Sequence, residues 1–127
     1  MTESRNLTRG QMERKLSQDI QKLYRQELGH QPQKIDCDIS NDRICIVVEE
    51  SLTQPENLLK NSGQKDLSRE IRSKLDEAIQ PQLKQLIQNE LSIKVLDVLM
   101  DTELDTGRSG MIFVLESAPQ LRPKASS

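Results

Sequence analysis

Aromatic side chains are almost missing from this sequence: it has no tryptophan, and Tyr24 and Phe113 are the single tyrosine and phenylalanine among 127 residues. A chain of this length forms one domain and buries roughly two-thirds of its unfolded surface. Its core must therefore be aliphatic, built from Leu, Ile, Val and Met. The same scarcity removes the stacking platforms on which RNA and single-strand binders arrange bases. Excess positive charge is missing too. The formal net charge is -2, which argues against a dedicated phosphate-backbone binder.

Long apolar runs are absent. The longest are residues 44–48 and 111–115, far short of the roughly 20 residues of a membrane-spanning helix. Residues 1–6 lack the apolar core of a signal peptide, so the expected setting is soluble and cytoplasmic, at most peripheral to a membrane. Two cysteines, Cys37 and Cys45, fit a reducing compartment. With His30 as the single histidine and no cysteine pair at ligand spacing, no zinc site is expected, and no cofactor.

What is present is periodicity. After a polar stretch over residues 1–10, read as a flexible arm, Met12, Leu16, Ile20, Leu23 and Tyr24 recur at spacings of three and four. They predict an amphipathic helix from Gln11 that ends at Gly29, with Pro32 blocking continuation. Ile35, Cys37 and Ile39 then alternate with Asp36 and Asp38, the mark of a half-buried strand. Asn41-Asp42 supplies a tight turn. A two-residue turn opposes Ile39 to Ile44, Cys37 to Ile46 and Ile35 to Val48, all on one side of a hairpin. Cys45 then lies on the other side beside Asp38, so a disulfide with Cys37 is not expected.

The strand at residues 44–48 runs into Glu49-Glu50-Ser51-Leu52-Thr53-Gln54-Pro55-Glu56, which reads as a helix start. Thr53 and Glu56 form a capping box, and Pro55 sits where its missing N–H does no harm. Asn61-Ser62-Gly63 ends that helix, and Asp66 is expected to cap a longer one. Its apolar face is read as Leu67, Ile71, Leu75, Ala78, Ile79, Leu83, Leu86 and Ile87. Pro81 within this pattern predicts a kink or brief break. Two last strands, residues 93–100 and 111–116, carry apolar residues on both faces, which implies that both faces are covered. Residues 101–109 read as a long acidic connection, and 119–127 as a disordered tail.

The expected fold class is α+β, in the order α-β-β-α-α-β-β. A four-stranded, mainly antiparallel sheet packs on the kinked helix in one domain over residues 11–118. The second face, around Ile112 and Val114, needs helix 1 or another copy of the chain, and a homodimer is the expectation.

No catalytic constellation stands out, and no enzyme is expected. His30 follows the helix-ending glycine in a loop. Cys45 lacks a cation or helix N-terminus to activate its thiol, and Cys37 reads as a small core residue. Asp101, Glu103 and Asp105 with Gly107 approach a calcium loop, but the glycine is one position late and Ile112 replaces the closing glutamate. Glu49 and Glu50 lack a partner carboxylate and a cleft. Arg5, Arg9, Arg14 and Lys15 form a local basic excess, read either as a solvated helix face or as a contact for an anionic membrane or acidic partner.

From about Met12 to Glu116 the chain resembles the MpsC-like family of small bacterial proteins. The resemblance rests on Val47-Val48-Glu49 to Leu52-Thr53 with Glu56 and Leu58-Leu59, the Pro81-containing helix, residues 95–101 and the closing Ile112-Phe113-Val114-Leu115-Glu116. It implies association with a sodium-translocating, membrane-potential-generating system linked to inorganic-carbon supply. The larger partners there resemble an antiporter-like membrane subunit and a large soluble zinc protein. The family brings no catalytic residues. The functional expectation is a non-enzymatic accessory or regulatory protein acting through protein contacts, peripheral to such a system. The alternative is a stand-alone signalling regulator that binds a small ligand or nucleic acid through its sheet.

Overall fold

Thr8 starts the first element. In the computed structural model, which describes residues 6–123, its side chain accepts from the Gln11 N–H while the Gln11 side chain returns the bond to the Thr8 N–H. This capping box launches α1, Arg9–Leu28, two residues before the expected start, and Gly10 lies inside the helix rather than before it. Thr-x-x-Gln was the overlooked signal. Gly29 closes α1 in the left-handed conformation, at φ 64°, as its position predicts.

The hairpin follows the predicted register. Strands β1, Lys34–Ser40, and β2, Arg43–Glu49, pair antiparallel with Ile39 opposite Ile44, Cys37 opposite Ile46 and Ile35 opposite Val48. Asn41 takes positive φ in the turn. Helix α2, Gln54–Asn61, begins at the predicted Thr53–Glu56 capping box. Helix α3 spans Lys65–Leu91 without interruption at Pro81, so the expected break does not occur. Pro81 and Glu77 are both exposed, so the carbonyl that loses its donor faces solvent. Asp66 is not the cap. It lies in the first turn, paired with Arg69, while Gln64 holds the cap position without a side-chain bond.

Strands β3, Val95–Glu103, and β4, Arg108–Leu115, form a second hairpin, so most of the expected 101–109 connection is strand. The sheet is antiparallel throughout, in the order β1-β2-β4-β3. The fold class is α+β, in the order α-β-β-α-α-β-β. Residues 119–123 are not free of the domain: Leu121 packs against the core and the Arg122 N–H donates to the Leu7 carbonyl at 2.7 Å. The remainder of the expected tail, 124–127, and of the expected arm, 1–5, lies outside the described residues.

Helices α1 and α3 cover the same face of the sheet. Met12, Leu16, Ile20 and Tyr24 from α1 and Ile79, Leu83, Ile87 and Leu91 from α3 meet Ile39, Ile44, Ile46, Val48, Met111, Phe113 and Leu115 from the strands. Each such side chain contributes about 1.5–3 kcal/mol on burial. Glu13 on α1 also accepts from the Ile39 N–H at 2.8 Å, satisfying a donor on the edge strand β1. Of the two expected covers for the second face, helix 1 is therefore excluded. Helix 1 joins the first layer, and among the described residues no helix lies over the second face.

Candidate functional site

The open face is assembled by register alone. Pairing across all four strands gives three rows. Asp36, Val47, Gly110 and Asp101 form one, Asp38, Cys45, Ile112 and Leu99 the next, and Ser40, Arg43, Val114 and Asp97 the third. A further pairing at one end adds Lys34 opposite Glu49 and Glu103 opposite Arg108. Val47, 36% exposed, and Ile112, 37%, occupy the two middle strands, while Leu99, 57%, and Leu96 in the bulge, 49%, lie on the edge strand β3. Carboxylates stand on both sides, Asp36 and Asp38 on β1, where Lys34 lies 3.5 Å from Asp36, and Asp97 and Asp101 on β3. Arg108 is held to Glu49 at 2.8 Å. The result is an apolar strip between two acidic borders.

Behind it, at the end of the sheet where α2 begins, lies a second constellation. Arg72 of α3 is 2% exposed and makes four hydrogen bonds. It grips the Glu56 carboxylate through two 2.7 Å bonds, donates to the Ser51 carbonyl at 2.9 Å and reaches Asp76 at 3.1 Å. The other Asp76 oxygen accepts from Thr102, whose hydroxyl meets Ser109, and Ser109 meets Ser51. Ser68 donates to the Glu56 carbonyl. A cleft of about 320 Å³, lined by Arg69, Arg72, Asp76, Met100 and Thr102 among others, opens beside this network. The hydroxyl of Tyr24 is buried without a hydrogen-bond partner, and burial pushes its pKa up.

Electrostatics here follow from burial and pairing together. Burial alone would raise Glu56, but hydrogen bonds from Arg72 and Thr53 outweigh it and hold the carboxyl below its ordinary value. Arg72 is likewise raised, since Glu56 and Asp76 outweigh its desolvation. For Asp76 burial wins over Arg72 and Thr102, and its pKa is raised. The two carboxylates thus act oppositely on stability in acid. Glu56, depressed when folded, contributes stability that is complete above its ordinary 4.5 and is lost as pH falls through the folded value. Asp76, raised when folded, favours the native state most at low pH, and that contribution is lost as pH rises through its raised value. Glu56→Gln is therefore expected to flatten the acid limb of a stability profile, and Asp76→Asn to steepen it. Urea midpoints across about pH 3–6 measure both. An acid limb unchanged by Glu56→Gln would refute this assignment.

The structure separates the other residues that the sequence singles out. Arg5 lies outside the described residues. Arg9 approaches Glu13 at 3.8 Å, Arg14 is exposed, and Lys15 bonds Asp19 and Glu90, tying α1 to α3. The hydrogen bond that Lys15 donates to Glu90, more than any other influence, raises the Lys15 pKa. These α1 residues belong to the helical layer, whereas Ile112 and the half-buried Val114 sit on the opposite, open face, so the six do not make one site. His30 donates from Nε2 to the Glu50 carbonyl at 2.6 Å. Glu50 itself takes positive φ, 52°, and Glu56 rather than Glu50 supports the α2 start. Burial pushes the Cys37 thiol up to about 12, and both cysteines are free. Asp105 pairs with Lys65 at 2.6 Å rather than facing Asp101 and Glu103 around an ion. Among the described residues, no cluster of three or more His, Cys, Asp or Glu is placed to hold a metal.

Sequence reading missed the Arg72 network. The signal was the spacing of Ser68, Arg72 and Asp76, which continues the stripe of Ile79, Leu83 and Ile87 into the N-terminal half of α3. All three are buried. Leu67 and Ala78, assigned to the apolar face, are exposed, and Ile71 and Leu75 are only partly covered. A buried capping glutamate needed a cation, and that need overrode the apolar pattern.

One family model matches, over residues 8–117; its description is "Na+-translocating membrane potential-generating system (MpsC)". No curated protein and no solved structure matches the chain. Among the described residues no helix is long and apolar enough to cross a membrane.

Proposed function

Because this chain belongs to the MpsC family, we propose that it is a non-enzymatic accessory or regulatory protein, cytoplasmic and peripheral to a Na+/bicarbonate-linked membrane system. The carrying observation is the open sheet face. Val47, Leu99 and Ile112 remain in water on a rigid four-stranded platform, and exposed contiguous apolar surface of this kind serves contacts with other macromolecules. The buried ionisable groups support the same reading. Arg72, Glu56 and Asp76 are engaged with one another and with neighbouring hydroxyls, an arrangement that fixes α2 against α3 and the β3–β4 hairpin.

The alternative of nucleic-acid binding through the sheet is disfavoured by Asp36, Asp38, Asp97 and Asp101, which would repel a phosphate backbone. A homodimer through the same face is the competing reading: a two-fold axis along the strands stacks Asp36 on Asp101 of the second copy but also sets Lys34 on Glu103 and Glu49 on Arg108.

Affinity capture of the tagged full chain from native membranes, followed by mass spectrometry, tests the proposal. Recovery of an ion- or bicarbonate-handling membrane subunit is expected. Failure to recover any such subunit from membranes that contain the system would overturn the membrane role.

A further inference from the structure

The open face carries a more specific chemistry than apolarity, and it rests on the proposed reading only for the origin of its partner. We propose that this face docks a single amphipathic helix of a protein partner, with an apolar ridge flanked on both sides by Lys or Arg.

Three features fit that occupant. Charge is the first. Val47, Cys45 and Ile112 lie between Asp36 and Asp38 on β1 and Asp97, Leu99 and Asp101 on β3. Lys34, 3.5 Å from Asp36, Arg43 and Arg108 share the face, but Asp36, Asp38, Glu49, Asp97, Asp101 and Glu103 outnumber them. A helix laid along the strands brings its two flanks over those carboxylates, so basic flanks gain on both sides while acidic ones are repelled.

Width is the second. Neighbouring strands lie about 4.8 Å apart, so the β1 and β3 borders are separated by about 14 Å. A helix with its side chains is about 10–12 Å across. One helix fits between the borders, whereas a second sheet would overlie them and bring its own carboxylates to them.

The third is Gly110. It sits mid-strand in β4 between Val47 and Asp101, and a Cβ added there would meet nothing within 4 Å. Its φ is not positive. Neither the turn geometry nor the packing of this chain calls for glycine, which weakens a strand. The gap it leaves in the floor of the face is a seat for a partner's side chain.

Cytoplasmic segments beside membrane spans carry an excess of Lys and Arg, which links a basic-flanked occupant to a membrane subunit. An anionic lipid surface is repelled by the same borders.

The test uses the full chain and a labelled synthetic helix of about 18 residues, with leucines at helical spacing and lysines on both flanks, read by fluorescence anisotropy. A twin peptide carries glutamates in place of lysines. Saturable binding of the lysine helix is expected, with the glutamate twin at least about tenfold weaker. Asp36→Lys combined with Asp101→Lys should weaken binding at least about tenfold, as should Ile112→Lys alone. Glu70→Lys with Glu77→Lys changes the net charge equally on the exposed side of α3 and should leave binding within about twofold.

Equal binding of the two peptides would overturn the proposal. So would an equal loss in both charge-reversed pairs, which would mean attraction to overall charge, or sedimentation showing a dimer that Ile112→Lys dissociates, which would give the face to a second copy. Failure of the helix to bind while membrane capture recovers a subunit rejects this inference alone. Binding of the helix with empty membrane capture rejects the membrane role alone.

Discussion

Arg72→Ala is expected to destabilise the fold by about 3–5 kcal/mol, because removing one partner of a buried ion pair leaves the other charge buried and uncompensated. Here it strands two carboxylates, Glu56 at 1% and Asp76 at 7% exposure, and leaves the Ser51 carbonyl without its 2.9 Å donor. That loss is a large fraction of the stability of a domain this size, about 5–15 kcal/mol in total. Equilibrium urea unfolding measures it. The informative comparison is Arg72→Met together with Glu56→Gln. Removing both charges leaves only Asp76, rather than two carboxylates, without Arg72, so the double variant should cost clearly less than the sum of the two singles. Additive losses would show that the grip between Arg72 and Glu56 is not the coupled unit its two 2.7 Å bonds imply.

How far this network could be foreseen depends on the range of the interactions that build it. The β1–β2 register was readable because a two-residue turn and strict alternation fix each other. Likewise Thr53, Pro55 and Glu56 announce α2 within four residues. Glu56, however, does two jobs. Its cap role is local, but its bond to Arg72 spans 16 positions, and nothing in either segment alone joins them. The same limit explains the misread stripe on α3. Leu67, Ile71 and Leu75 keep apolar spacing, so the pattern favours them. The desolvated Glu56 demands a cation, and satisfying it rotates Ser68, Arg72 and Asp76 inward instead.

The open face eluded the sequence for a different reason. Apolar residues on both sides of β3 and β4 call for cover on both sides, and the pattern alone does not say whether helix 1 or a second copy supplies the outer cover. The chain has two long helices, and the apolar stripe of α1 ends at Tyr24 while that of α3 ends at Leu91, both over the inner face. With both stripes used, neither long helix remains for the outer one. Alternation along β4 still divides the residues correctly between the faces. What it leaves open is which face the fold keeps for itself.

Adjacent residues on β4 turn that division into a measurement. Phe113 is fully buried among the strands and both helices, and Phe113→Ala is expected to cost about 3–5 kcal/mol through lost transfer energy and the cavity left behind. Apart from Tyr24 on α1, the core around it is aliphatic. Ile112, one position earlier, points to the other side. Ile112→Ser is expected to change stability by no more than about 0.5–1 kcal/mol, because the side chain is already partly in water and leaves no enclosed void. Urea unfolding of both variants, with near-unchanged m-values, checks the contrast. If Ile112→Ser cost as much as Phe113→Ala, the outer strip would be part of the core, and its apolar character would need no partner. A small effect means that the fold gains little from keeping isoleucine in water between two acidic borders. The reason for its presence must then lie in what comes to rest on it.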